Sequence, residues 1–105
     1  MLYLSVIVYM RQIKELYGFI FSSTIRYNIL KTLQKKSPLL QSNIAKRMDR
    51  KQQDISKAIY QLEKENLVEC LTPDKGSYKI YNITSLGIEV LDFGKQLKDN
   101  TKKNN

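Results

Sequence analysis

The stretch from Ile44 to Thr84 constrains this chain more than any other part of it. It runs IAKRMDRKQQDISKAIYQLEKENLVECLTPDKGSYKIYNIT and reads helix, sharp turn, helix, strand, short basic loop, strand. Ile55, Ala58, Ile59 and Leu62 recur at i, i+3, i+4 and i+7, the spacing of one buried helical stripe. Gln53, Ser56, Lys57 and Tyr60 form a second stripe, offset by two residues or about 200° around the helix. That second stripe contains no acid. Leu67 to Leu71 and Tyr78 to Thr84 then read as strands. The link TPDKGS places Pro, Asp and Gly for a tight turn, with Lys75 and Lys79 adding positive charge.

The flanks supply the rest of a core. Ser22 and Ser23 are N-cap residues for a helix over about 23 to 35, where Ile25, Ile29, Leu30 and Leu33 keep helical spacing and Ser37-Pro38 ends the run. A short helix follows from Gln41 to Met48, with Ile44, Ala45 and Met48 inward. Asp49 is expected to cap the next helix, which runs to about Glu65, with Gln52 completing a capping box. A last helix starts at Thr84 and carries Ile88, Val90, Leu91, Phe93 and Leu97, a wide apolar surface that suits a second subunit. Residues 1 to 20 are ambiguous. Leu4, Val6 and Val8 alternate as in a strand, Ile13, Leu16, Tyr17 and Ile20 fit a helix, and Gly18 marks a break. These patterns divide the chain into an N-terminal extension over 1–18 suited to dimerisation, a domain over 19–97 and a disordered polar tail over 98–105. Met10 offers an alternative start, which would make residues 1–9 an added segment.

Charge narrows the choice of partner. The 105 residues carry a net charge of +8 and a pI near 9.6. Residues 31 to 57 hold eight Lys or Arg against two acids, whereas residues 58 to 105 balance seven against seven. Positive charge concentrated in one short stretch is the footprint of an anionic partner. The chain has no His and one Cys, Cys70, which excludes most zinc sites, thiol pairs and His-based catalysis. Cys70 reads as a small buried hydrophobe. There is no Gly-rich phosphate loop and no GxSxG elbow, and the carboxylates are scattered, so no enzyme is expected. The N-terminal run LYLSVIVYM is far shorter than the roughly 20 residues that span a bilayer and lacks the features of a signal peptide, so a cytoplasmic protein is expected.

Two helices meeting at a sharp turn place the second one in the major groove of DNA. Such a pair needs a small residue at the crossing, here Ala45, and apolar residues across the turn, here Ile44, Met48, Ile55 and Ala58. Counting from Ala45, the turn falls four residues on, at Asp49, where Gly is usual. The chain resembles winged-helix transcriptional regulators of the ArsR and MarR type, especially small archaeal members. The resemblance rests on Arg26, Ile29, Leu30 and Leu33 (RxxILxxL), Ile44-Ala45-Lys46, Ile55-Ser56-Lys57 with Leu62-Glu63, Leu67-Val68-Glu69, and Tyr81-Asn82-Ile83-Thr84 with Gly87 (YxLTxxG). It covers about residues 19 to 97.

The resemblance implies an α+β winged helix-turn-helix with a three-helix core, a two-stranded β-wing and a C-terminal helix. It also implies a homodimer acting on a nearly palindromic operator in double-stranded DNA. By that similarity Lys51, Gln52, Gln53, Ser56 and Lys57 face base edges, and Tyr60 lies at the groove margin. Ser42, Lys46 and Arg50 touch phosphates, as do Lys75 and Lys79 from the wing. Metal-sensing members use Cys or His ligands, which this chain lacks. No cofactor or metal is expected, and nothing in the sequence names a small-molecule effector. Two alternatives compete with this reading: a winged helix that binds another protein and not DNA, and a membrane-surface protein using the apolar N-terminus with the basic residues.

Overall fold

The computed structural model describes residues 2–76 and 78–103. Five helices and three short strands follow one another as α1 (Leu2–Phe21), α2 (Thr24–Lys35), β1 (Leu39–Leu40), α3 (Gln41–Met48), α4 (Gln52–Lys64), β2 (Val68–Cys70), β3 (Ile80–Ile83) and α5 (Ser85–Lys103). The architecture is a winged helix-turn-helix. α2, α3 and α4 form the three-helix core, β2 and β3 the wing, and α1 and α5 pack against each other beside them.

One apolar cluster holds these elements together. Ile29, Leu30 and Leu33 of α2, Ile44 and Ala45 of α3, and Ile55, Ala58, Ile59 and Leu62 of α4 are all buried in it. They are joined by Ile13 and Ile20 of α1, Leu67, Val68, Tyr81 and Ile83 of the wing, and Val90 and Leu91 of α5. The stripe read from the sequence of α4 is therefore its core face. Among the described residues no polar or charged side chain is buried. Burial, together with the neighbouring Cys70 and Glu63, pushes the Tyr81 phenol up from 10 to about 12. Cys70 is half-buried, a looser environment than the sequence suggests.

Local chemistry explains the element boundaries. Ser23 caps α2, its hydroxyl accepting from the Arg26 N–H. Thr84 caps α5: its Oγ1 accepts from Gly87 N at 3.0 Å and donates to the Asn66 carbonyl at 2.7 Å. α4 closes on Asn66 at φ 60°, with Asn66 N donating to Glu63 O and Leu67 N to Leu62 O. This paired return satisfies the last carbonyls and turns the chain into β2.

The structure corrects three expectations and extends one. First, residues 2–21 form a single helix, with neither an early strand nor a break at Gly18. Ile13 and Ile20 anchor the helix in the core, and cooperative extension outweighs the modest helix penalty of Val and Ile. A Cβ added at Gly18 would meet nothing within 4 Å, so this glycine interrupts no packing.

Second, Asp49 does not cap α4. It sits in the left-handed region at φ 52°, ψ 50° and closes α3, with Asp49 N donating to Lys46 O and Arg50 N to Ala45 O. The residue preceding α4 is Lys51, which makes no side-chain capping bond, so there is no capping box. The left-handed geometry also accounts for the usual Gly at this position. Asp49→Gly is accordingly expected to keep the turn and raise stability by about 0.5–1 kcal/mol, whereas Asp49→Val should cost about 1 kcal/mol or more. Urea denaturation of the two variants would check the sign of each.

Third, the expected two-stranded wing is extended by a strand that the sequence did not reveal. β1 pairs antiparallel with β3 (Leu39 with Tyr81, Leu40 with Ile80), giving the order β1-β3-β2. A two-residue strand leaves no period to read in a sequence. Fourth, α5 continues to Lys103, where a disordered tail was expected from residue 98. Polarity alone does not stop a helix, and KQLKDNTKK contains neither Gly nor Pro. Residues 104 and 105 lie outside the described residues.

Candidate nucleic-acid interface

α4 has two unlike faces. Ile55, Ala58, Ile59 and Leu62 are buried, while Gln52, Gln53, Ser56, Lys57 and Tyr60 are exposed, Tyr60 to 60%. The burial of one stripe fixes the rotation of the helix, so the other must face outward. Ala45 of α3, 4% exposed, is buried in the same cluster as Ile55, Ala58 and Ile59 of α4 and is small enough to let the two helices approach.

The Asp49 turn brings α3 and α4 residues to one place. Ser42, Lys46, Asp49, Arg50, Lys51 and Gln52 line a single open depression together with Ala45. Arg50 also borders a neighbouring depression with Asp54, Lys57, Ala58 and Gln61. Five of the residues picked from the sequence (Ser42, Lys46, Arg50, Lys51 and Gln52) thus share one hollow, and Lys57 lies in the next. Gln53, Ser56 and Tyr60 belong to the same exposed side of α4 by their spacing. The two acids counted in this stretch of the sequence fall inside the same hollows. Asp49 and Asp54 stand among Lys46, Arg50, Lys51 and Lys57, which leaves the two hollows net positive but less basic than the Lys and Arg count suggests.

Lys75 and Lys79 line neither hollow. They belong to the wing, which is braced from within. Thr72 Oγ1 donates to the Tyr78 carbonyl and accepts from Ile80 N, both at 3.0 Å. Tyr78 N donates to Lys75 O at 3.0 Å, and Gly76 takes φ 56° at the tip. Lys75 is exposed and Lys79 is half-buried; the Lys79 carbonyl accepts from Gln41 N, which ties the wing to the start of α3. Tyr78, at 71% exposure, is a large wing side chain that no sequence pattern singled out.

A second surface is apolar. Tyr3, Leu4, Val6, Ile7, Val8, Tyr9 and Met10 are all exposed, on every side of the first half of α1. Ile88 and Leu97 of α5 are exposed as well. Among the described residues no helix is long and apolar enough to cross a membrane.

By sequence the chain matches no family model and no curated protein. By structure it is similar to winged-helix transcription regulators of the MarR family. The MepR–DNA complex of Staphylococcus aureus superposes with a TM-score of 0.71 at 20% identity, covering 98% of this chain and 86% of that one. MepR determined as a transcription regulator of the multidrug efflux pump MepA gives 0.66 at 19% identity, over 97% and 78% of the two chains. The PcaV transcriptional regulator of Streptomyces coelicolor gives 0.60 at 17% identity, over 77% and 65%. At these identities the likeness is one of fold.

Proposed function

We propose that this protein is a homodimeric, sequence-specific regulator of transcription that binds double-stranded DNA through α4 and the wing. The observation that carries the proposal is the joint placement of Ser42, Lys46, Arg50, Lys51 and Gln52 in one hollow beside the exposed face of α4. In this reading α4 enters the major groove. Lys51, Gln52, Gln53, Ser56 and Lys57 face base edges, with Tyr60 at the groove margin. Gln pairs bidentately with adenine and Lys reaches guanine or phosphate, which favours A·T pairs opposite Gln52 and Gln53. Ser42, Lys46 and Arg50 hold the phosphates flanking the groove, and Lys75 and Lys79 hold those under the wing. Such contacts position the protein but carry no sequence information.

The homodimer is supported by the first half of α1. A helix that is apolar on all sides is stable in water only when surrounded, and among the described residues Tyr3, Leu4, Val6, Ile7, Val8, Tyr9 and Met10 stay exposed. A second copy, packing α1 with the exposed Ile88 and Leu97, supplies that cover and places two copies of α4 on one duplex.

Two substitutions separate reading from gripping. Gln53→Ala should cost about 1–3 kcal/mol on the preferred sequence and little on unrelated DNA, which relaxes specificity. Lys75→Ala should weaken all sequences alike. Fluorescence anisotropy with one preferred and one scrambled duplex measures both ratios. Equal losses for Gln53→Ala on the two duplexes would remove α4 as the reading element.

A further inference from the structure

The guanidinium of Arg26 joins three elements. Nε and Nη2 both donate to the Phe19 carbonyl in the last turn of α1, at 3.0 and 2.7 Å. Nη2 also donates to Ser22 Oγ at 2.9 Å, and Nη1 donates to Gln61 Oε1 of α4 at 3.0 Å. Its Cζ lies 4.0 Å from the centroid of the Phe19 ring. A cation at the C-terminal end of α1 is favoured by the helix dipole, and its bonds to the exposed carbonyl are charge-assisted.

The shape of the group matters as much as its charge. The planar fork of Arg offers donors on two edges, so one edge grips Phe19 while Nη1 reaches Gln61. A lysine ammonium is a single point and cannot hold both. Gln61 sits on α4 one turn beyond Lys57 and is half-buried. Through this side chain the end of α1, whose other half carries the uncovered apolar surface, is hydrogen-bonded to the helix that carries Lys57 and Tyr60.

We infer that Arg26, acting through Gln61, is a positioning residue that fixes the setting of α4 on α1 and thereby sets the half-site spacing that two copies accept. The inference rests on the dimeric DNA-binding function proposed above. In a rigid dimer the two copies of α4 match one spacing only. Changing the spacer by two base pairs rotates one half-site by about 70° around the duplex. If α4 can swivel on α1, that mismatch is absorbed.

The test uses Gln61→Met, which keeps the bulk and removes the acceptor, and Gln61→Glu, which restores an acceptor for Arg26. The probes are a palindromic duplex selected by the full-length protein, the same duplex with the spacer altered by two base pairs, and a single half-site. Wild type and Gln61→Glu should disfavour the altered spacer by about tenfold or more, and Gln61→Met by no more than about threefold. Each protein's discrimination is read as the ratio of its own affinities for the two duplexes, so the charge that Gln61→Glu adds beside Arg50 and Lys57 cancels, and half-site affinity should fall for Gln61→Glu but not for Gln61→Met. A merely structural role would lower the melting temperature and leave spacer discrimination intact, which would overturn the inference. Parallel losses on half-site and full site in Gln61→Met, which adds no charge, would overturn it too, by making Gln61 a direct DNA contact.

A second readout needs no DNA. With a spin label on Lys64→Cys in a Cys70→Ala background, the distance distribution between the two copies of α4 should be narrow for wild type and Gln61→Glu, and broad for Gln61→Met. That result obtained with a protein that binds no duplex would remove the DNA reading and leave the positioning role in place. Identical distributions in all three, or no measurable distance, would remove the positioning role whatever the DNA data show.

Discussion

Raising the salt from about 50 to about 200 mM is expected to weaken binding to the preferred duplex by roughly 10³–10⁴-fold. The expectation follows from the positions of the cations. Lys46 and Arg50 border the hollow beside α4, and Lys75 and Lys79 sit on the wing, so in the proposed dimer each copy would offer up to four side chains to phosphate. If about six to eight phosphates are neutralised per dimer, log K falls with log salt at a slope of about −5 to −7. Replacing one of these residues by Ala removes two contacts per dimer and should make the slope shallower by about 2. Asp49 and Asp54 lie close to the same groups, which places the expected slope nearer the low end. Salt-independent binding would mean that the basic stretch from Lys31 to Lys57 is a solubility feature, not a DNA grip.

The second large effect concerns folding. Gly87→Ala is expected to lower stability by about 2–3 kcal/mol, overpacking offsetting any gain in helix propensity. Gly87 lies in the first turn of α5, where its N–H donates to Thr84 Oγ1. A Cβ there would fall 2.5 Å from the Leu67 carbonyl oxygen and 2.8 Å from Ile83 Cγ1. The carbonyl is backbone and already accepts from Thr84 N at 3.1 Å, so it cannot swing aside as a flexible side chain would. Relief requires α5 to shift away from the wing. In a domain of this size the melting temperature should drop by roughly 10–20 °C. Gly18→Ala is the contrasting case. It lies in a helix with nothing within 4 Å of the added Cβ, and should stabilise by about 0.5–1 kcal/mol. Thermal unfolding followed by circular dichroism distinguishes the two, and a neutral Gly87→Ala would contradict the close approach of α5 to Leu67.

The two glycines also mark what could and could not be read from the sequence. Gly87 is visible as the last letter of YxLTxxG, a motif that reports a contact between elements far apart in the chain. Gly18 looks like a break because a local pattern weighs a single glycine against its neighbours, whereas the helix is held by Ile13 and Ile20 in the core. The α3–α4 pair was legible because both helices bury one stripe and expose another, a period that survives in the residues themselves. Asp49 was placed in the right turn and given the wrong role, since an Asp before a helix and an Asp in the left-handed region look alike in one dimension. β1 was invisible because two residues have no alternation. Among site residues, single positions on α3 and α4 could be placed from helical spacing. The nearness of Asp49 and Asp54 to the basic group could not, because it depends on how the turn folds back. The Arg26–Gln61 bond spans 35 residues, and no spacing rule connects them.

The most direct test of the central claim is selection of duplexes by the pure, full-length protein from a random pool, followed by sequencing. Two inverted half-sites centred about 10 base pairs apart, enriched in A·T pairs where Gln52 and Gln53 would lie, are the expected result. Enrichment of a single unrepeated site would contradict the dimer. A pool that leaves the protein with no enriched sequence at all would contradict reading of DNA by α4.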